Sequence, residues 1–201
     1  MTFTYDPRLD ELLDFIELNL VAEIPNAIRK QPNKDLCYAI MLWYDDSSTD
    51  DHTLQLGIFT QSVRNACDKQ YDFDENNRTF CYWNPQQNLN DALLWSQINR
   101  SIPELQSPCN KAYELMFAAD QSELPLADES EILMPYRSML RRVAKKLTNF
   151  DWSEVLNVDE SFVVTTSDYI GYWWETDLKT GLTKAQLRKL EEQGLLTLPD
   201  S

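Results

Sequence analysis

The chain has 201 residues, with 33 Asp plus Glu against 18 Lys plus Arg, a net charge of −15 at pH 7. That balance argues against DNA or RNA binding, which needs clustered cations to release counterions, and against adhesion to an anionic membrane surface. Hydrophobic residues at 43% and aromatics at 11% exclude a disordered acidic tail and demand a core.

Asp6-Pro7 opens a helix in which Leu9, Leu12, Leu13, Ile16 and Leu20 recur at three- and four-residue spacing. It is expected to reach Ala22 or Glu23, with Pro25 kinking it or starting a second short helix over 26–30. Leu36 to Tyr44, LCYAIMLWY, is nearly all apolar and predicts a central strand buried on both faces. The loop DDSSTDD at 45–51 leads into a returning antiparallel strand at 53–60, where Leu54, Leu56 and Ile58 alternate with polar or small residues. Residues 61–71 predict a helix. Thr79 to Trp83, TFCYW, predicts a third strand, stopped by Asn84-Pro85.

The second half is expected to be mainly helical. Leu89 to Arg100 shows a broad apolar face, Pro103 and Pro108 bracket a loop, and 110–120 is a short helix. Met134 to Phe150 is amphipathic: Met139, Leu140, Val143 and Leu147 face in, while Arg137, Arg141, Arg142, Lys145 and Lys146 face out. Ser161 to Thr166 is a β-branched strand, and Tyr172 to Trp174 is a candidate further strand. Thr183 to Gln193 is a helix stopped by Gly194.

The segments LCYAIMLWYDD (36–46), TLQLGIFTQSV (53–63), TFCYWNPQQ (79–87) and FVVTTSD (162–168) resemble the bacterial family called domain of unknown function 4303. Tyr82-Trp83-Asn84-Pro85 carries Asn where that family usually has Ser. The resemblance covers roughly residues 8–170 and transfers no catalytic residue. It implies a neighbourhood of polymorphic-toxin immunity proteins.

Candidate chemistry is sparse. Asp45, Asp46, Asp50 and Asp51 lack the alternating ligands, central Gly and terminal Glu of a calcium loop. They are read as a solvated hairpin tip or a negative patch for a basic partner. His52 is the only histidine, so a zinc site or a histidine-based catalyst has little to draw on. The four cysteines show no metal-knuckle spacing. Cys37, Cys67 and Cys81 are expected in the core, and Cys109 at the start of a helix. The four glycines are too scattered for a phosphate-cradling loop. Trp83, Tyr172, Trp173 and Trp174 are candidate interface anchors, with packing under the last helix the competing role. The basic helix holds five cations against Glu131, which are either neutralised by acidic neighbours or open to an anionic partner.

The expected fold is α+β: a small, mainly antiparallel sheet of about four to five strands, covered by helices chiefly on one side. One domain spans 1–201, with 172–201 a candidate C-terminal appendage. No secretory signal or membrane span is visible, so a cytoplasmic location is expected. The expected function is an acidic binding protein, of the immunity type, that sequesters a basic protein partner. It needs no cofactor or metal and binds neither nucleic acid nor membrane. Two alternatives are an enzyme with a carboxylate and aromatic cleft, where Asp168 and Glu175 are the first carboxylates to inspect, and a self-associating structural protein.

Overall fold

The computed structural model describes residues 5–30, 35–44, 55–72, 74–84, 96–97, 102–118, 132–168 and 173–197. In chain order the elements are α1 (Arg8–Arg29), β1 (Cys37–Tyr44), β2 (Gln55–Thr60), α2 (Gln61–Gln70), α3 (Glu75–Trp83) and the two-residue strand β3 (Ser96–Gln97). There follow α4 (Pro103–Phe117), α5 (Met134–Thr148), a single 3-10 turn at Trp152–Glu154, β4 (Val158–Asp168), α6 (Trp174–Gly181) and α7 (Lys184–Glu192).

The class is α+β, as expected, and β1 is its axis. The strand order is β3-β2-β1-β4, with β1 antiparallel to β2 and parallel to β4. The sheet is therefore mixed, with three full strands and a two-residue edge, smaller than the expected four to five mainly antiparallel strands. All eight residues of β1 are buried. Ile40, Leu42 and Tyr44 enter one core with α1, α4 and α5. Ala39, Met41 and Trp43 enter a second with α2, α3, α6 and α7. Helices thus cover both faces, not chiefly one.

A bulge sits at the start of β1. Cys37 pairs with Thr60, but Ala39 already pairs with Phe59, so Tyr38 is the extra residue. Consecutive Tyr38 and Ala39 then share the second core, and the Tyr38 hydroxyl donates to the Tyr82 carbonyl at 3.0 Å. This contact anchors α3, the element that departs most from expectation. TFCYW is rich in strand formers, yet it lies in a helix capped by Asp74, whose side chain accepts from Asn77 N. Burial of Cys81, Tyr82 and Trp83 against the second core outweighs local preference.

Four further departures have local causes. α1 continues through Pro25 to Arg29, because Ile24 and Ile28 keep its buried face and one lost backbone bond costs less than exposing them. Pro103 does not border a loop but sits at the first position of α4, and Pro108 is carried inside the same helix. Ser96–Gln97 pairs with β2, where a helix was expected; the rest of 89–100 lies outside the described residues. Trp174 begins α6 instead of extending a strand.

The last helix has well-defined ends. Thr183 and Gln186 form a reciprocal capping box at the start of α7. At its other end Gly194 adopts φ +67°, Gly194 N donates to Glu191 O, and Leu195 N donates to Leu190 O. That is the left-handed stop only glycine enters without strain, and it turns Leu195 back into the second core beside Leu190. At α2 the capping group comes from another segment: Asp35 accepts from Ser62 N at 3.2 Å and Ser62 Oγ at 2.6 Å. These bonds hold its carboxyl below the usual range.

Cys67 on α2 and Cys81 on α3 are buried in the core, as expected, and are joined there by a disulfide that their spacing did not announce. Cys37 and Cys109 are buried thiols.

Candidate functional site

The densest polar cluster lies at the carboxyl ends of the parallel pair β1 and β4, where Tyr44 is in register with Asp168. Ligands favour this end of parallel strands in open α/β sheets. Asp177, on α6, is fully buried at its centre. Its Oδ1 accepts from Arg137 Nε at 3.1 Å and Nη2 at 2.8 Å. The same oxygen accepts from Arg141 Nε at 2.9 Å and from Arg141 Nη2. Its Oδ2 accepts from Thr166 Oγ1 at 2.9 Å and from the Tyr44 hydroxyl at 3.5 Å. Burial, together with the Asp177 charge, raises the Tyr44 phenol above its ordinary range and keeps it a donor. The Trp173 ring stacks on the Arg137 guanidinium, 4.3 Å from its centroid.

Asp168 is also fully buried. It accepts from Trp173 N at 2.7 Å and from Ser167 Oγ at 3.4 Å, tying the end of β4 to the start of α6. Glu175 pairs with Lys179 one turn along α6, on the surface. The two carboxylates singled out for an enzyme cleft therefore have different tasks: Asp168 is a buried acceptor and Glu175 a surface partner. Among the described residues, no three His, Cys, Asp or Glu side chains converge as a metal site.

The second ion cluster joins α1 to α5. Glu17 is buried between them and accepts from Arg142 Nε at 2.7 Å and Lys146 Nζ at 2.8 Å. Burial works against its ionised form, but the hydrogen bonds and charges of Lys146 and Arg142 more than reverse this and hold its carboxyl below the ordinary value. Arg142 also reaches Asp14, at 3.9 Å.

The basic helix is thus answered from within. Arg137 and Arg141 do not face out, as its amphipathic pattern suggested: Arg137 is buried and Arg141 half-buried, both against Asp177. The signal for Arg137 was in the spacing, since it stands three residues before Leu140 and seven before Ala144, on the buried face. The signal for Asp177 was absent, because 36 and 40 residues separate it from its arginines.

The aromatic candidates are divided. Trp83 is fully buried, and its indole N–H donates to Leu195 O at 2.7 Å, so it offers no surface to a partner. Trp174 packs partly buried against the second core, and Trp173 covers Arg137. Tyr172, Asp45, Asp46, Asp50, Asp51 and His52 lie outside the described residues. Cys109 sits within α4 and not at its start, so no helix terminus acts on it. Burial pushes its thiol up to about 11, and Tyr136 donates to its sulfur.

Compared with known proteins, the chain matches no family model, no curated protein and no solved structure. Among the described residues, no helix is long and apolar enough to cross a membrane.

Proposed function

We propose that the protein is an acidic binding module that sequesters a basic protein partner, in the manner of an immunity protein. One observation carries this reading: four of the five α5 cations are hydrogen-bonded to the chain's own Asp177 and Glu17. Arg142, Lys145 and Lys146 keep an exposed side on α5, but Arg142 and Lys146 do so while paired with Glu17, so most of the positive charge of this helix is matched locally and the acid excess elsewhere stands. Acidic side chains remain exposed on α1 (Asp10, Glu11, Asp14), around α3 (Asp72, Asp74, Glu75) and on α7 (Glu191, Glu192). Such a field speeds encounter with a basic protein and selects it over acidic competitors more than it adds affinity. The resemblance to the 4303 family points the same way.

The test uses the immobilised protein against extract of its source cell at low salt, followed by identification of what is retained. The expected result is a basic protein released by raising the salt. With that partner purified, replacing Asp45, Asp46, Asp50 and Asp51 by Asn is expected to slow association. Retention of only acidic or salt-indifferent proteins rejects the proposal.

A further inference from the structure

We infer that the outer face of α1 is the docking surface of this acidic module and that it receives a basic amphipathic helix; the inference rests on the function proposed above. Leu18 is 70% exposed and Phe15 47% exposed, among the largest apolar side chains left in solvent. They are not scattered. The helical period places Glu11, Asp14, Phe15, Leu18 and Ala22 on one arc, and all five are exposed. The opposite arc, with Leu9, Leu13, Ile16, Leu20 and Ile24, is buried against the first core.

The arc has both parts of an interface: an apolar centre and an acidic rim along its amino-terminal half, with Arg29 exposed at its carboxyl end and Arg142 beside Asp14. Phe15 and Leu18 supply the centre, and Ala22 lets a second backbone approach closely. Asp10, Glu11 and Asp14 supply the rim at the amino-terminal end. Asp14 touches Arg142 only at 3.9 Å and keeps most of its side chain in solvent. A partner helix with leucines along one stripe and Lys or Arg beside them complements both features at once. A helix suits the surface because the anchors follow helical spacing and ridge-into-groove packing matches it. The negative rim selects a basic occupant.

The probe is a labelled synthetic peptide of Lys and Leu, with Leu at i, i+3, i+4 and i+7. Its length is about 18 residues, enough to span the arc at 1.5 Å per residue. The control peptide has the same composition in scrambled order. Binding to the full chain is measured by fluorescence anisotropy at low and high salt, with sedimentation of the protein alone. The amphipathic peptide is expected to bind more tightly than the scrambled one. Phe15→Ala with Leu18→Ala is expected to weaken it by about tenfold or more, and Asp10→Asn with Glu11→Gln and Asp14→Asn to slow association. Alanine keeps the helix, and an unchanged circular dichroism melt verifies it. Equal binding to the Phe15/Leu18 variant overturns the α1 surface and leaves the acidic-module reading standing. A wild-type dimer dissolved by that variant also overturns it, because the face then serves a second copy. Failure of both peptides to bind at low salt removes the underlying reading as well.

Discussion

Asp177 and Arg137 meet 40 residues apart in sequence, through paired contacts of 3.1 and 2.8 Å onto one carboxylate oxygen, with both side chains removed from solvent. The pair joins α6 to α5 across the carboxyl end of β4. Thr166 from that strand completes it. A buried ion pair of this kind adds little net stability over a well-packed apolar pair, but losing one member strands the other. Asp177→Ala is therefore expected to destabilise the fold by about 3–5 kcal/mol, read from urea denaturation. Arg137→Met with Asp177→Leu is expected to cost less than Asp177→Ala alone. The reverse order means that the pair is not isolated from water.

Glu17 makes the stability pH-dependent in a defined sense. Its carboxyl titrates lower in the folded chain than the ordinary 4.5 of an unfolded one. Between those two points the unfolded state holds more protons, so stability rises with pH there and is lost as pH falls through the folded value. Wild type and Glu17→Gln are expected to differ near neutral pH and to converge as the pH drops below about 4.5. Chemical denaturation at a series of pH values tests this, and a gap that widens in acid contradicts it.

The Cys67–Cys81 bridge closes a short loop, with a sequence separation of 14, between α2 and α3. Cross-links over loops of that size contribute about 3 kcal/mol, chiefly by restricting the unfolded chain. Reduction, or Cys67→Ser with Cys81→Ser, is expected to lower stability by about 2–3 kcal/mol. Thiol titration of the denatured protein is expected to find two groups before reduction and four after it.

Gly57 lies under the Trp43 indole. A Cβ at this position falls 2.7 Å from Trp43 Cη2 and 3.0 Å from Phe59 Cε2. Trp43 is fully buried in a T-shaped contact with Phe59 and has no room to retreat. Gly57→Ala is expected to destabilise by about 1–3 kcal/mol through overpacking. A thermal melt at the wild-type temperature argues that the indole can shift.

The parts legible from sequence share one property: their signal is local. β1 shows itself as an unbroken apolar run, and α5 as Met139, Leu140, Val143 and Leu147 at helical spacing, because burial imposes its period on neighbouring residues. α7 likewise carries its capping Thr183 and its stop at Gly194 in the sequence itself. The α3 segment fails this rule. Its strand-forming residues Thr79 to Trp83 are turned into a helix by distant neighbours, namely the Tyr38 hydroxyl, Cys67 and the Leu195 carbonyl.

Charge follows the same division. The composition by itself determined that the protein is strongly acidic and that five cations gather on one helix. Only the tertiary structure decided where those cations point. Asp177 arrives from beyond β4 and Glu17 from the first helix, and ionic partners recognise one another by distance in space. Arg137 and Arg141 turn inward onto Asp177, while Arg142 and Lys146 hold Glu17 from an exposed side and Lys145 faces out, as its place in the sequence pattern suggested.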